Sequence, residues 1–164
     1  MNNKNFTTIR RQTRLALPTD DIYLYRLGVA LYAFNSINSF MTEIICHIDN
    51  KKNRTELQDL ESGKVLDIFR QTLKHIKKNK IFPSIYLTME HVAELFEQLN
   101  TERSDFVHAY PITNKNNQQI LHRRKDSKKK YFEVDNNFLD SFIVRLHDVS
   151  NGLYEIRSVI KSSL

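Results

Sequence analysis

The chain has 164 residues, 40% hydrophobic and 27% charged, which is enough for one domain with its own core and too apolar for a disordered tail. A formal charge of +6 fits a polyanionic partner without requiring one. A single cysteine, Cys46, excludes an internal disulfide, and only three glycines and three prolines favour a few long helices over many short strands.

Residues 1–17 read as a flexible, basic lead-in of weak order. They run into no cleavable apolar region, so no signal peptide is expected. Cys46 lies in an apolar stretch, and a buried free thiol suits a reducing, cytoplasmic setting. Residues 18–164 read as a single helical domain. Pro18-Thr19-Asp20-Asp21 is a helix start, with a capping residue and then acids in the first turn facing the positive end of the dipole. From Ile22 to about Ile48 the apolar residues surround the helix on most sides, which places it in the middle of a bundle or against a second subunit. Asn35, Ser36, Asn38, Ser39 and Glu43 interrupt it, so it falls short of the ~18 uninterrupted apolar residues of a membrane span.

NKKNRTE ends that helix, and Gly63 separates a short turn from the next. There Val65, Ile68, Phe69, Leu73 and Ile76 recur at three and four, giving one apolar face, and lysines 77, 78 and 80 flank its C-terminal end in water. Phe82-Pro83-Ser84 opens a further helix with Leu87, Val92, Leu95, Phe96 and Leu99 on its inner side. It is expected to stop near Ala109, because Pro111 disfavours helical geometry at Tyr110. QQILHRR and KKYFEV flank the polar turn KDSKK and predict a β-hairpin. A last helix runs from Asp135, with Asn136 and Asn137 as further cap candidates, to about Ser162, and Phe138, Phe142, Ile143, Leu146, Val149, Leu153 and Ile156 form its inner stripe. The expected fold is all-α, a four-helix bundle with a small β-hairpin inserted before the last helix.

Most catalytic signatures are missing. Three scattered glycines cannot cradle a phosphate, no strained serine elbow occurs, and His47, His75, His91, His122 and His147 form no metal-binding pattern. No metal or cofactor is expected. Arg103 and His108 remain, in RSDFVH near the end of a helix. Five residues apart, they are rotated by ~140° and do not stack as a simple helix salt bridge. In the last turn the dipole favours a protonated His108, which suits acid–base work, while Arg103 can grip a phosphate through two parallel hydrogen bonds. RNA carries its own nucleophile in the 2′-hydroxyl, so such a pair is sufficient for its cleavage without a metal.

An arginine, four residues, then a histidine near the end of a bundle helix is similar to the Rx4–6H motif of the HEPN superfamily (higher eukaryotes and prokaryotes nucleotide-binding). The resemblance covers most of the helical layout. It implies an all-α bundle, a homodimer across the motif and a metal-independent endoribonuclease, in toxin–antitoxin or antiphage defence, with an antitoxin or other regulatory protein as a further partner. It assigns transition-state stabilisation to Arg103 and acid–base work to His108. Ser104 and Asp105 are the supporting residues, where the family often has Asn, Asp or His directly after the arginine. Arg123, Arg124, Lys128, Lys129 and Lys130 on the hairpin are expected to track the RNA backbone. The alternative is a non-catalytic HEPN-like bundle, a nucleotide- or RNA-binding or protein-interaction scaffold, with Arg103 paired to a buried acid such as Glu43.

Overall fold

Helices start where short-range capping says they should. Asp20 takes hydrogen bonds from the backbone N–H groups of Ile22 (2.9 Å) and Tyr23 (3.2 Å) and opens α2 (Asp21–Ile48). Its carboxyl is held below the ordinary range, chiefly by a bond from the Asn136 amide. The computed structural model describes residues 3–13, 17–125 and 130–162. Around α2 stand α1 (Asn3–Gln12), α3 (Arg54–Gln58), α4 (Ser62–Lys78) and α5 (Tyr86–Val107), the last preceded by a 3-10 turn at Pro83–Ile85. Strands β1 (Tyr110–Thr113), β2 (Gln119–Lys125) and β3 (Lys130–Val134) precede α6 (Asn136–Ser162), so the described chain is mostly helical with one small sheet.

The long helices share one core. α2 packs on α6 and α4, and α5 packs on α4 and α6. Phe34 of α2 and Phe96 of α5 stack at 5.2 Å, joining the two across the centre. In α4, Val65, Phe69, Leu73 and Ile76 are buried as their spacing predicts, and in α6 so are Phe142, Leu146, Val149, Leu153 and Ile156. Asp135 caps α6 through a 2.7 Å bond from the Phe138 N–H.

Four expectations change. The lead-in over residues 1–17 contains α1, whose Arg10 reaches Asp21 at 2.5 Å. The turn ahead of Gly63 is the short helix α3, and α4 already begins at Ser62. Leu87, expected on the inner side of α5, is 80% exposed. It lies ~140° around the helix from Val92, and buried Met89 fills the inward position instead. Finally, the hairpin is a three-stranded antiparallel sheet in the order β1-β2-β3. After leaving the helix, residues 110–113 pair with β2, Tyr110 opposite His122 and Ile112 opposite Ile120. β1 is an edge strand, where a proline is tolerated.

α5 and α6 approach closely at Gly152. A Cβ there would stand 2.5 Å from a methyl of Val92, which is buried. Two effects oppose each other in Gly152→Ala. Helix propensity favours alanine by about 1 kcal/mol, whereas overpacking a filled core disfavours it by about 1–3 kcal/mol. The expected outcome is net destabilisation, read as a lower urea midpoint. A higher midpoint would show that the two helices can separate without loss.

Candidate functional site

α5 ends at Val107, one residue before His108 and close to the stop expected near Ala109. His108 is its C-cap, with backbone angles outside the helical range, and its N–H still bonds to the Ser104 carbonyl at 3.2 Å. The imidazole is therefore exposed just past the last turn. Two residues earlier, buried Phe106 anchors this helix end. Its ring meets Phe142 at 5.2 Å and Phe138 at 6.2 Å, both edge-on.

Arg103 is half-buried. Its guanidinium carbon lies 5.1 Å from the centre of the Phe34 ring, over the ring that stacks on Phe96. It makes no hydrogen bond or ion pair among the described residues. The adjacent acid, Glu102, is already committed: both its oxygens take bonds from Arg145 of α6, at 2.8 and 2.5 Å. That carboxylate raises the pKa of the Arg145 guanidinium further above its usual value. Glu43 is engaged elsewhere as well, with Arg157 at 3.3 Å, His47 at 3.5 Å and Arg54 at 3.7 Å. The Arg103–Glu43 pairing is not formed. Three basic side chains from α2, α3 and α6 already surround that carboxylate.

Both motif residues thus stand at the same end of α5, but no hydrogen bond joins them among the described residues. Ser104 is exposed and Asp105 half-buried. Arg123 and Arg124 lie on β2, half-buried and exposed respectively. Lys128 and Lys129 lie outside the described residues, and of Lys130 only the backbone, at the start of β3, is described.

One role has no signal in the sequence. Arg123 donates from Nη1 to the His108 carbonyl at 3.0 Å, placing a cation on an orphan acceptor at the C-terminus of α5. The expected backbone-tracking arginine therefore also fixes the peptide that carries the histidine. Beside it, the His122 ring contacts Tyr110, Nδ1 to hydroxyl at 3.2 Å. Neither contact is encoded locally, because both depend on the pairing of β1 with β2.

Among the described residues no three His, Cys, Asp or Glu side chains gather as a metal site, and no helix is long and apolar enough to cross a membrane. Burial pushes the pKa of the Cys46 thiol up, which makes it a poorer nucleophile. The chain matches no family model, no curated protein and no solved structure.

Proposed function

We propose that this chain is a metal-independent endoribonuclease of the HEPN type, its helices forming a HEPN-like four-helix bundle. Two copies would supply the Arg103–His108 pair twice. The observation that carries the reading is the state of Arg103. A half-buried arginine is usually tied to a carboxylate, yet this one rests on Phe34 with its N–H donors unpaired among the described residues. Such a guanidinium, ordered by an aromatic ring, is ready to take the two oxygens of a phosphate.

In this reading the 2′-oxygen attacks the adjacent phosphorus and the bond to the 5′-oxygen breaks. The products are a 2′,3′-cyclic phosphate and a free 5′-hydroxyl. One His108 takes the proton of the 2′-hydroxyl, the His108 of the second copy gives a proton to the leaving oxygen, and Arg103 meets the charge growing on the phosphoryl group. Arg123 orients the His108 peptide through its carbonyl. Arg124 lies on the same strand, where it can follow the RNA backbone. A cytoplasmic toxin–antitoxin or antiphage setting, with a regulatory protein as partner, fits the same reading. The scaffold alternative loses the specific support of an Arg103–Glu43 bond.

Labelled single-stranded RNA incubated with the purified chain in EDTA tests the proposal. The expected products end in 2′,3′-cyclic phosphate. Binding without cleavage, or products with 3′-hydroxyl ends, would sink it.

A further inference from the structure

Two cavities meet where the sheet lies against the start of α2. The larger, ≈ 550 Å³, is walled by Leu17, Leu24 and Leu27 on one side and by Ile112, Ile120 and Leu121 on the other. That volume suits a small molecule. The smaller, ≈ 150 Å³, is a polar recess that includes Asp20, Asp135 and Asn136. Tyr23, Gln119 and Ile120 belong to both, and among the described residues no Lys, Arg or His lines either. The Gln119 Oε1 and Asn136 Oδ1 atoms at the recess are buried without a hydrogen-bond partner among the described residues. The orientation of the Asn136 amide is fixed, because its nitrogen donates to Asp20 Oδ2 at 3.2 Å and an ionised carboxylate only accepts. Neither aspartate forms an ion pair among the described residues. Each closes the N-terminus of its own helix, and Arg26, whose charge reaches Asp20, is held by Asp140 at 2.5 Å.

We propose that the paired cavities are a binding site for a small protonated amine with an apolar tail, an alkyl- or arylalkylammonium. The tail fills the space between α2 and the sheet, where it leaves water for an apolar wall. The head enters the recess, where its positive charge meets two carboxylates. An ammonium carries only donors. The recess offers it Gln119 Oε1, Asn136 Oδ1 and the Asp135 carboxylate, of which Oδ1 alone is taken, by the Phe138 N–H. A buried acceptor left without a donor is costly, and one ammonium relieves two of them. A neutral apolar molecule would leave both unpaired, and a bare cation would leave the larger cavity unfilled. An anion would meet like charge, since both helix N-termini here already hold their own aspartates. Neither Arg103 nor His108 lines the site, so amine binding and RNA cleavage succeed or fail separately. The two places are nonetheless linked through the sheet. β1 begins two residues after His108, and β2 carries Arg123, which bonds to the His108 carbonyl. A ligand seated between α2 and both strands therefore steadies the peptide that carries the histidine.

Titration of the isotope-labelled full chain with phenylbutylamine, followed by backbone amide NMR shifts, reads occupancy and place together. Matched probes are phenylbutanol, with the same tail and no charge, and phenylbutyrate, with a carboxylate. The amine is expected to bind with a dissociation constant below about 1 mM, moving the amides of Ile112, Thr113, Gln119 and Leu121. The alcohol should bind at least about tenfold more weakly, and the carboxylate not at all. Asp20→Asn together with Asp135→Asn removes both charges and retains both caps, since asparagine caps a helix about as well as aspartate. In that variant amine binding should weaken at least about tenfold while alcohol binding stays unchanged, and the spectrum itself reports whether the variant is folded. If it is not, the three probes on wild type decide alone. An amine that moves no amides up to about 10 mM overturns the proposal, as do shifts confined to other parts of the chain. Equal binding of amine and alcohol, or an amine indifferent to the loss of both aspartates, overturns the ammonium head. A preference for phenylbutyrate overturns it too.

Discussion

His108→Ala is expected to slow RNA cleavage by about 10²–10⁴-fold, and Arg103→Ala by about 10²–10³-fold. The histidine figure is what one positioned proton carrier supplies. The arginine figure is what a fixed charge supplies where negative charge develops. Both losses should come with little change in stability. His108 is exposed at a helix cap, and Arg103 gives up a contact with the Phe34 ring worth only about 0.5–1 kcal/mol at a partly exposed site. Arg103→Lys separates charge from geometry. Lysine retains the cation but not the flat, two-pronged donor that stacks on a ring and matches two phosphate oxygens. Its activity should fall between wild type and Arg103→Ala. Initial rates on a labelled oligonucleotide in EDTA, with thermal melts in parallel, measure all three. Unchanged rates in both alanine variants would remove this pair from any catalytic role.

Phe106→Ala should be the most damaging single change to the fold near the site, by about 3–5 kcal/mol. Its ring is buried and meets Phe138 and Phe142 edge-on, so truncation removes apolar area and leaves a cavity between α5 and α6. The cost is high because Phe138 already packs on Phe132 of β3 at 4.6 Å and is not free to fill the space. Urea denaturation measures the loss, and Phe106→Leu, which retains most of the volume, should lose markedly less. A Phe106→Ala variant within about 1 kcal/mol of wild type would show that the three rings do not anchor the helix end. The ribonuclease reading adds a second readout. Phe106 is two residues from His108, so the variant should also weaken cleavage through a misplaced imidazole, even under conditions where it remains folded.

Much of the helical frame is legible in the amino-acid sequence. Asp20 and Asp135 cap their helices because a short acceptor side chain meets backbone N–H groups two or three residues on, a local event. The inner faces of α4 and α6 follow from spacing, since residues three and four apart share one side of a helix. Leu87 shows where the same rule slips. Near a helix start the phase rests on few residues, and an apolar side chain can land outside. β1 escapes a sequence reading for a different reason. Tyr110 to Thr113 carries too little pattern to declare a strand, and it becomes one only because β2 offers it a ladder.

The candidate site divides the same way. By itself the sequence determined that Arg103 and His108 stand near the end of a long helix, five residues apart and ahead of a proline. Those are properties of chain geometry over a few bonds. Only the tertiary structure decided that Arg103 lies over Phe34 while Glu43 is held by Arg54 and Arg157. It likewise decided that Arg123 closes the helix on the His108 carbonyl, and that Ile22, Tyr25 and Tyr32 of an otherwise core-forming helix face outward. Each of these outcomes is a choice among competing partners far apart in the chain. Periodicity and capping act only between near neighbours, so only packing around the shared core can settle which partner wins.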